Sequence, residues 1–249
     1  MKKTGIILLF ILLTFFSFAQ NKTYIGLDFS GSNDLYKITD SGNEMTNPPL
    51  RGNQFAITFR RDINKYISIE TGLMRKHLNE SLIFKPSAGS GSQWYGSNFN
   101  VIPIRIITRI DIKKEKIYLS PSLGVNYYMS GRQDGKGYGS DYQKGDDSIH
   151  YQYTANNGVH SSYFLLQLGL ATEFMIWKKF IFSIFVNRYI GFERVLTMNI
   201  NYTVNKNPQV FTASEYTKGD FWNFGIGLKY PLHWKIYHDN KDRGLKKTE

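Results

Sequence analysis

The sequence predicts an all-β protein, an eight-stranded antiparallel up-and-down transmembrane β-barrel with four long extracellular loops and three short periplasmic turns. Three observations carry that reading. Eight runs alternate apolar and polar residues with a period of two, the signature of a strand with one wet and one dry face. Their connectors alternate in length: long and polar over 31–51, 77–97, 130–161 and 193–219, short and basic near 61–65, 113–116 and 177–179. The chain carries 17 Tyr, 18 Phe and 4 Trp, yet its mean hydropathy is −0.35. That value excludes a helical membrane protein and suits a barrel wall joined by wet loops. Bacterial outer-membrane barrels combine an even number of strands with short turns at one end and long loops at the other.

The first segment is a leader. Lys2 and Lys3 form a basic start, Ile6–Phe16 an apolar core, and Ser17-Phe18-Ala19 a cleavage site before Gln20; these are the parts of a secretory signal peptide. An uncleaved anchor is the alternative, but the apolar run is near the short end for a span of about 20 residues, and no stop-transfer flank follows. Residues 1–19 are therefore read as a signal peptide, 20–234 as the barrel and 235–249 as a polar, basic tail. There are no cysteines, which excludes disulfides, thiolate metal sites and a lipid anchor on a mature N-terminal cysteine. The net charge is +11. A basic balance often means nucleic acid, but an exported chain rarely meets it, so the charge is read as addressing anionic lipid or glycan.

The runs justify the wall one by one. Run one sets Ile25, Leu27 and Phe29 against Tyr24, Gly26 and Asp28; run two sets Phe55, Ile57 and Phe59 against Ala56, Thr58 and Arg60. Run three sets Ile67, Ile69, Thr71 and Leu73 against Ser68, Glu70 and Gly72. Run four is the clearest, with Ile102, Ile104, Ile106, Thr108 and Ile110 against Pro103, Arg105, Ile107 and Arg109. Run five sets Leu119, Leu123, Val125 and Tyr127 against Ser120, Ser122, Gly124 and Asn126. Run six sets Phe164, Leu166, Leu168, Leu170 and Phe174 against Gln167, Gly169, Ala171 and Glu173. Run seven sets Phe182, Ile184 and Val186 against Ser183, Asn187 and Tyr189. Run eight sets Trp222, Phe224, Ile226 and Leu228 against Asn223, Gly225, Gly227 and Lys229.

Alternation alone leaves open which face meets water. A soluble, secreted, lipocalin-like barrel would bury the apolar face. Glycine and serine on the polar faces suit a narrow interior, and runs four to seven exceed a typical globular strand. Tyr66, Tyr127, Tyr128, Trp177, Phe180, Trp222 and Trp234 gather near run ends, as interfacial girdles do. These features favour the membrane.

Several segments resemble a family. Lys65–Leu73, Asn100–Arg105, Ser122–Tyr127 and Phe224–Tyr230 resemble the third, fourth, fifth and last strands of the outer-membrane β-barrel domain common in Bacteroidetes, which includes the PorT-like group. The leader ending Phe18-Ala19-Gln20 is similar too. The resemblance implies an envelope protein, and in the PorT-like group a link to type IX secretion. Many barrels end on an aromatic residue, whereas this chain continues past Trp234 into Lys235–Glu249.

Chemical constellations are sparse. Asp28, Glu70 and Glu173 share the inward faces with Arg60, Arg105, Arg109 and Lys229. They read as a structural charge network filling the lumen, because buried charges need partners; an ion path is the alternative. His160, Ser161 and Ser162, with Glu173, invite comparison with lipid A deacylases, since acyl transfer needs a base, a hydroxyl and an orienting carboxylate. Beyond those residues that family's motif is not matched. Gly135, Gly137 and Gly139 with Asp134, Asp141, Asp146 and Asp147 could suggest calcium or phosphate, but the spacing fits neither, and residues 131–147 read as a solvated surface loop. The expected protein is a monomeric outer-membrane barrel with a closed lumen, without cofactor, metal site or catalysis. Its partners are membrane lipid and an envelope protein, not nucleic acid.

Overall fold

The computed structural model describes residues 22–46, 50–82, 84, 93–114, 116–130, 135–144, 147–156, 162–176, 180–204 and 209–232. The leader and the tail, with Trp177 and Trp234, lie outside the described residues. In chain order the strands are β1 (Thr23–Asp34), β2 (Lys37–Asp40), β3 (Leu50–Asp62), β4 (Ile67–Leu82), β5 (Gln93–Thr108), β6 (Ile110–Lys113) and β7 (Ile117–Ser130). There follow β8 (Gly135–Lys144), β9 (Asp147–Asn156), β10 (Ser162–Ile176), β11 (Phe180–Gly191), β12 (Leu196–Val204), β13 (Phe211–Thr217) and β14 (Phe221–Leu232).

Eight of them close a barrel in the order β1-β3-β4-β5-β7-β10-β11-β14, and β14 pairs back onto β1. The short β6 continues β5 beyond Arg109 along β7, with an irregularity between Asp111 and Lys113. Every wall pairing is antiparallel. Between β4 and β5 the ladder skips Gly72 and Leu73 opposite Ile102 and Pro103, where Thr71 Oγ1 donates to the Pro103 carbonyl (2.9 Å). The registers also fix the stagger. The row Tyr24, Arg60, Glu70, Arg105, Gly124, Gln167, Tyr189, Phe221 returns to β1 at Asp34, ten residues along. With strands about 4.8 Å apart and about 3.3 Å of rise per residue, that stagger corresponds to a tilt of about 41°, within the range of membrane barrels.

The faces divide by parity as the runs predict. Leu27, Phe29, Ile57, Leu73, Ile104, Leu123, Phe164, Leu168, Ile184, Phe224 and Ile226 all point outward and are exposed, Leu73 by 65%. Asp28, Arg60, Glu70, Asn126, Gln167, Glu173, Asn187, Asn223 and Lys229 point inward and are buried. A soluble lipocalin-like barrel would need the reverse, and a continuous apolar exterior of this extent is stable only against lipid. One girdle assignment is corrected. Tyr128 is 1% exposed and stacks on Tyr163 inside the barrel, because it shares the inward parity of Asn126.

The short connectors are tight. Asn64 Oδ1 accepts from the backbone N–H of Tyr66 and of Ile67, both at 2.8 Å, locking the β3–β4 hairpin as an Asx turn. Lys116 N–H donates to Lys113 O (2.8 Å) in the next one. Gly72 is required by close approach: a Cβ there would meet the Ile57 carbonyl oxygen.

The long connectors are not simply loops. They carry a second sheet of five strands, ordered β2-β13-β12-β9-β8, at the long-connector end of the barrel. Residues 131–147, read as a solvated loop, hold all of β8, paired to β9 as a hairpin. The signal was present in Leu196, Met198, Ile200 and Tyr202, which alternate with Thr197, Asn199 and Asn201 and are each at most 3% exposed. Met198, Ile200 and Tyr202 pack with Met45, Phe84, Ile149, Tyr153 and Ala213 in a core of their own, while Leu196 joins the barrel's core beside Tyr189 and Phe221.

A closed barrel leaves no free edge, so unboiled protein is expected to migrate at a different apparent mass from boiled protein in detergent gels. Identical migration of the two, with recovery in the soluble periplasmic fraction, would contradict the fold. Gly72→Val should abolish the unboiled band.

Candidate functional site

The seven inward charges picked from the sequence all enter the lumen, and the structure joins them in two levels. Nearest the short turns, Arg60 pairs with Glu173 through Nη1 and its Nη2 donates to Ser68 Oγ (3.0 Å). Arg109 bridges Glu173 Oε2 (3.1 Å) and Asp62 Oδ2 (2.9 Å), while Ser68 Oγ donates to Asp62 Oδ1 (2.7 Å). The Arg109 guanidinium lies 5.8 and 5.6 Å from the Tyr24 and Tyr118 ring centres. At the next level Arg105 holds Glu70 through Nε (2.6 Å) and Asp28 Oδ2 through Nη2 (2.8 Å). Lys229 Nζ sits 3.3 Å from Glu70 Oε2 and 3.5 Å from Asp28 Oδ1. Register explains the second level, where Glu70 lies directly opposite Arg105 and opposite charges meet across neighbouring strands. Arg60 also lies opposite Glu70 in register but turns to Glu173.

Sequence reasoning missed three members. Asp62 was assigned to a short turn. Asp34 fell within an assigned long connector, and Lys76 stood at the edge of another. Lys76 Nζ is 2.8 Å from Asp34 Oδ1, donates to Ser32 Oγ and the His77 carbonyl (each 2.7 Å), and lies 4.9 Å from the Phe221 ring centre. Among the described residues the lumen thus sets five cations against five carboxylates.

Above the lower charge levels comes a layer of amides. Gln54 Oε1 accepts from Asn223 Nδ2 (2.6 Å), Asn187 Nδ2 donates to Asn223 Oδ1 (2.9 Å), and Asn126 Nδ2 to Gln167 Oε1 (3.1 Å). The outer mouth is sealed by rings: Tyr128 on Tyr163 (4.9 Å between centroids), Tyr189 on Phe221 (4.1 Å), and Phe99 edge-on to Tyr128 and Tyr163. Two lumen cavities measure about 20 and 30 Å³, room for about a single water each. The lumen is a packed interior.

The second sheet presents a different surface. Its outward residues form a register-aligned lattice in which Gln152, Asn201 and Thr212 make one row and Thr154, Asn199, Ser214 and Thr39 the next. These side chains are uncharged hydrogen-bonding groups. At one side Arg194 stacks over Tyr216 at 4.1 Å. The sheet is tied down by Asp40, which accepts from the backbone N–H of Gly42 (3.0 Å), Glu44 (2.7 Å) and Met45 (2.8 Å) and from Tyr202 Oη (2.7 Å). Burial would raise the Asp40 carboxyl, but these donors outweigh it and hold it below the usual carboxylate range. Burial, then the bond to Asp40, raises the Tyr202 phenol.

The hydrolase constellation is not assembled. His160 and Ser161 lie outside the described residues. Ser162 opens β10 and Glu173 lies eleven residues along the same strand, about 36 Å away at strand rise, where it is committed to Arg60 and Arg109. Among the described residues no group of three side chains is arranged to hold a metal ion.

A closed sheet with an apolar exterior and a polar, filled interior has one compatible solvent arrangement. The chain is an outer-membrane β-barrel. Among solved structures it is similar to the outer membrane protein OprG from Pseudomonas aeruginosa, at 14% identity over 86% of this chain and 96% of that one, with a TM-score of 0.49. It is similar to the N-terminal β-barrel domain of OprF from the same organism, at 8% identity over 86% and 100%, TM-score 0.41. The attachment invasion locus protein Ail of Yersinia pestis follows at 11% identity over 84% and 99%, TM-score 0.37. No protein-family model matches the chain, and no curated protein does.

Removing one partner of a buried ion pair strands the other. Glu173→Ala, which leaves Arg60 and Arg109 to share Asp62, is expected to destabilise the barrel by about 3 kcal/mol, read as a lower urea midpoint in micelles. Planar-bilayer recordings of the wild type should show no stable, porin-sized conductance.

Proposed function

We propose that the protein is a monomeric, non-catalytic scaffold of the outer membrane that holds a rigid recognition platform above the outer leaflet. The observation that carries this reading is the second sheet, which has its own core and rests on the sealed mouth of the barrel. Leu35 N–H donates to Asp220 O (2.9 Å), and Thr217 Oγ1 donates to Leu35 O (2.8 Å), stitching the end of β13 to the junctions that lead out of β1 and into β14. A surface braced in this way loses little conformational entropy when it binds. Its Asn, Gln, Ser and Thr lattice suits a partner recognised through hydrogen bonds rather than charge.

The opposite end supports a second contact. Lys65, Lys113, Lys114 and Lys116 project from the short turns and are exposed, and each cation near an anionic surface contributes about 1 kcal/mol. In this reading they meet inner-leaflet head groups or an acidic envelope partner. The resemblance of the wall motifs to the Bacteroidetes barrel domain and its PorT-like group supports an envelope partner, with secretion as the process to be tested first. A lipid hydrolase has less support, because Glu173 is tied into the lumen far from Ser162.

Orientation is testable on intact cells. Asn201→Cys on the platform should react with a membrane-impermeant thiol reagent, while Lys114→Cys should react only after the outer membrane is permeabilised. The reverse pattern would overturn the assignment of the platform to the cell exterior. Paired arginine substitutions at Asn199 and Ser214 should leave folding and heat-modifiable migration unchanged while abolishing cross-links from a photoreactive probe placed on the platform.

A further inference from the structure

One surface feature is left unused by that reading: an open groove of about 800 Å³ on the outer wall across β14, β1, β3, β4 and β5. Two adjacent outward rows build it. The lower row is Ile226, Phe29, Phe55 and Arg75; the upper row is Phe224, Gly31, Asn53, His77 and Asn98. Gly31 is the cause of the groove. It sits between Phe224 and Asn53 without a side chain, and a Cβ there would meet nothing nearer than the Gly52 carbonyl oxygen at 4.0 Å. Below it Phe29 and Phe55 pack with centroids 4.9 Å apart.

The groove is apolar at one end and cationic at the other. Its aromatic part is continuous with the membrane belt, since the next row down is Leu228, Leu27, Ile57 and Leu73. On β4 the outward residues change from Leu73 to Arg75 and His77, which marks the edge of the hydrocarbon. Arg75 is exposed and has no ion pair or hydrogen bond among the described residues. His77 Nδ1 donates to Asn98 Oδ1 (3.2 Å), and Asn98 is exposed in the groove lining. A guanidinium at a lipid interface is matched by phosphate, which it binds through paired, charge-assisted hydrogen bonds. Amides beside it suit sugar hydroxyls.

We propose that this groove binds a phosphorylated outer-leaflet glycolipid of the lipid A class, with an acyl chain in the crevice beside Gly31 and a phosphate on Arg75. The occupant follows from the continuity of the crevice with the lipid belt, from the exposed Arg75 at its rim, which has no carboxylate partner among the described residues, and from its place beneath the platform. The inference rests on the platform facing the cell exterior, which puts Arg75 at the outer leaflet.

The test uses full-length barrel in detergent micelles, with bis-phosphorylated lipid A, phosphatidylglycerol and phosphatidylethanolamine as separate probes in native mass spectrometry. Wild type should keep lipid A under activation that strips phosphatidylethanolamine. Arg75→Glu, which reverses the charge, and Gly31→Leu, whose Cβ meets nothing nearer than 4.0 Å and whose side chain occupies the crevice, should each lower lipid A retention by about tenfold. Heat-modifiable migration identifies variants that remain folded. Unchanged retention in both folded variants would overturn the site. Arg75-dependent retention of phosphatidylglycerol without lipid A would overturn the glycolipid assignment. The Asn201→Cys labelling reports orientation separately, so a correctly oriented barrel with unaltered lipid A binding in the variants condemns the groove alone.

Discussion

Backbone hydrogen bonding without water is the constraint from which the rest of this molecule follows. In hydrocarbon an unpaired amide or carbonyl costs several kcal/mol, so a sheet can cross only by closing on itself. Eight strands closing with a stagger of ten residues make a narrow tube. Every second residue is then forced into a lumen barely wider than its side chains. Apolar side chains occupy the outer parity because lipid touches it. The inner parity must fill space and satisfy polar groups together, which is why glycine, serine, amides and charges share it.

The charge network is a consequence of that crowding. Ionised groups withdrawn from water are costly unless neutralised and hydrogen-bonded, and here each cation meets at least one carboxylate. The levels differ in composition along the axis, from ion pairs near the short turns, through amides, to stacked rings and the Lys76–Asp34 pair near the platform. A slip of one strand by a residue would send the charges into lipid and the apolar chains into the lumen. The network therefore also specifies register.

The platform depends on the barrel in turn. Five short strands facing solvent on one side would be marginal alone. They gain order by packing Met198, Ile200 and Tyr202 against Met45, Phe84, Ile149 and Tyr153 from the three other connectors, and by continuing above the ring layer that closes the barrel. The strands that the connectors contribute give the molecule fixed surfaces, both the lattice of amides and hydroxyls and the groove below it.

Eight strands, their parity and seven of the lumen charges were legible in the residues because period-two alternation is local and a membrane wall repeats it strictly. Met198, Ile200 and Tyr202 carry the same alternation, but their neighbours Asn199 and Asn201 and the surrounding polar composition read as loop. Tyr128 read as a girdle residue because position near a run end does not report which way a ring points. What the sequence determined by itself was a closed wall with a lipid face and a polar face, since that depends on each strand alone. Tertiary structure decided the partners: which carboxylate Arg60 meets, that Asp62, Asp34 and Lys76 join the lumen, that strands from three connectors fold as one sheet with Phe84 of the fourth in its core, and that Gly31 lies beside Phe224 and near Arg75. Those facts depend on stagger and closure, which bring together residues more than a hundred positions apart in the chain.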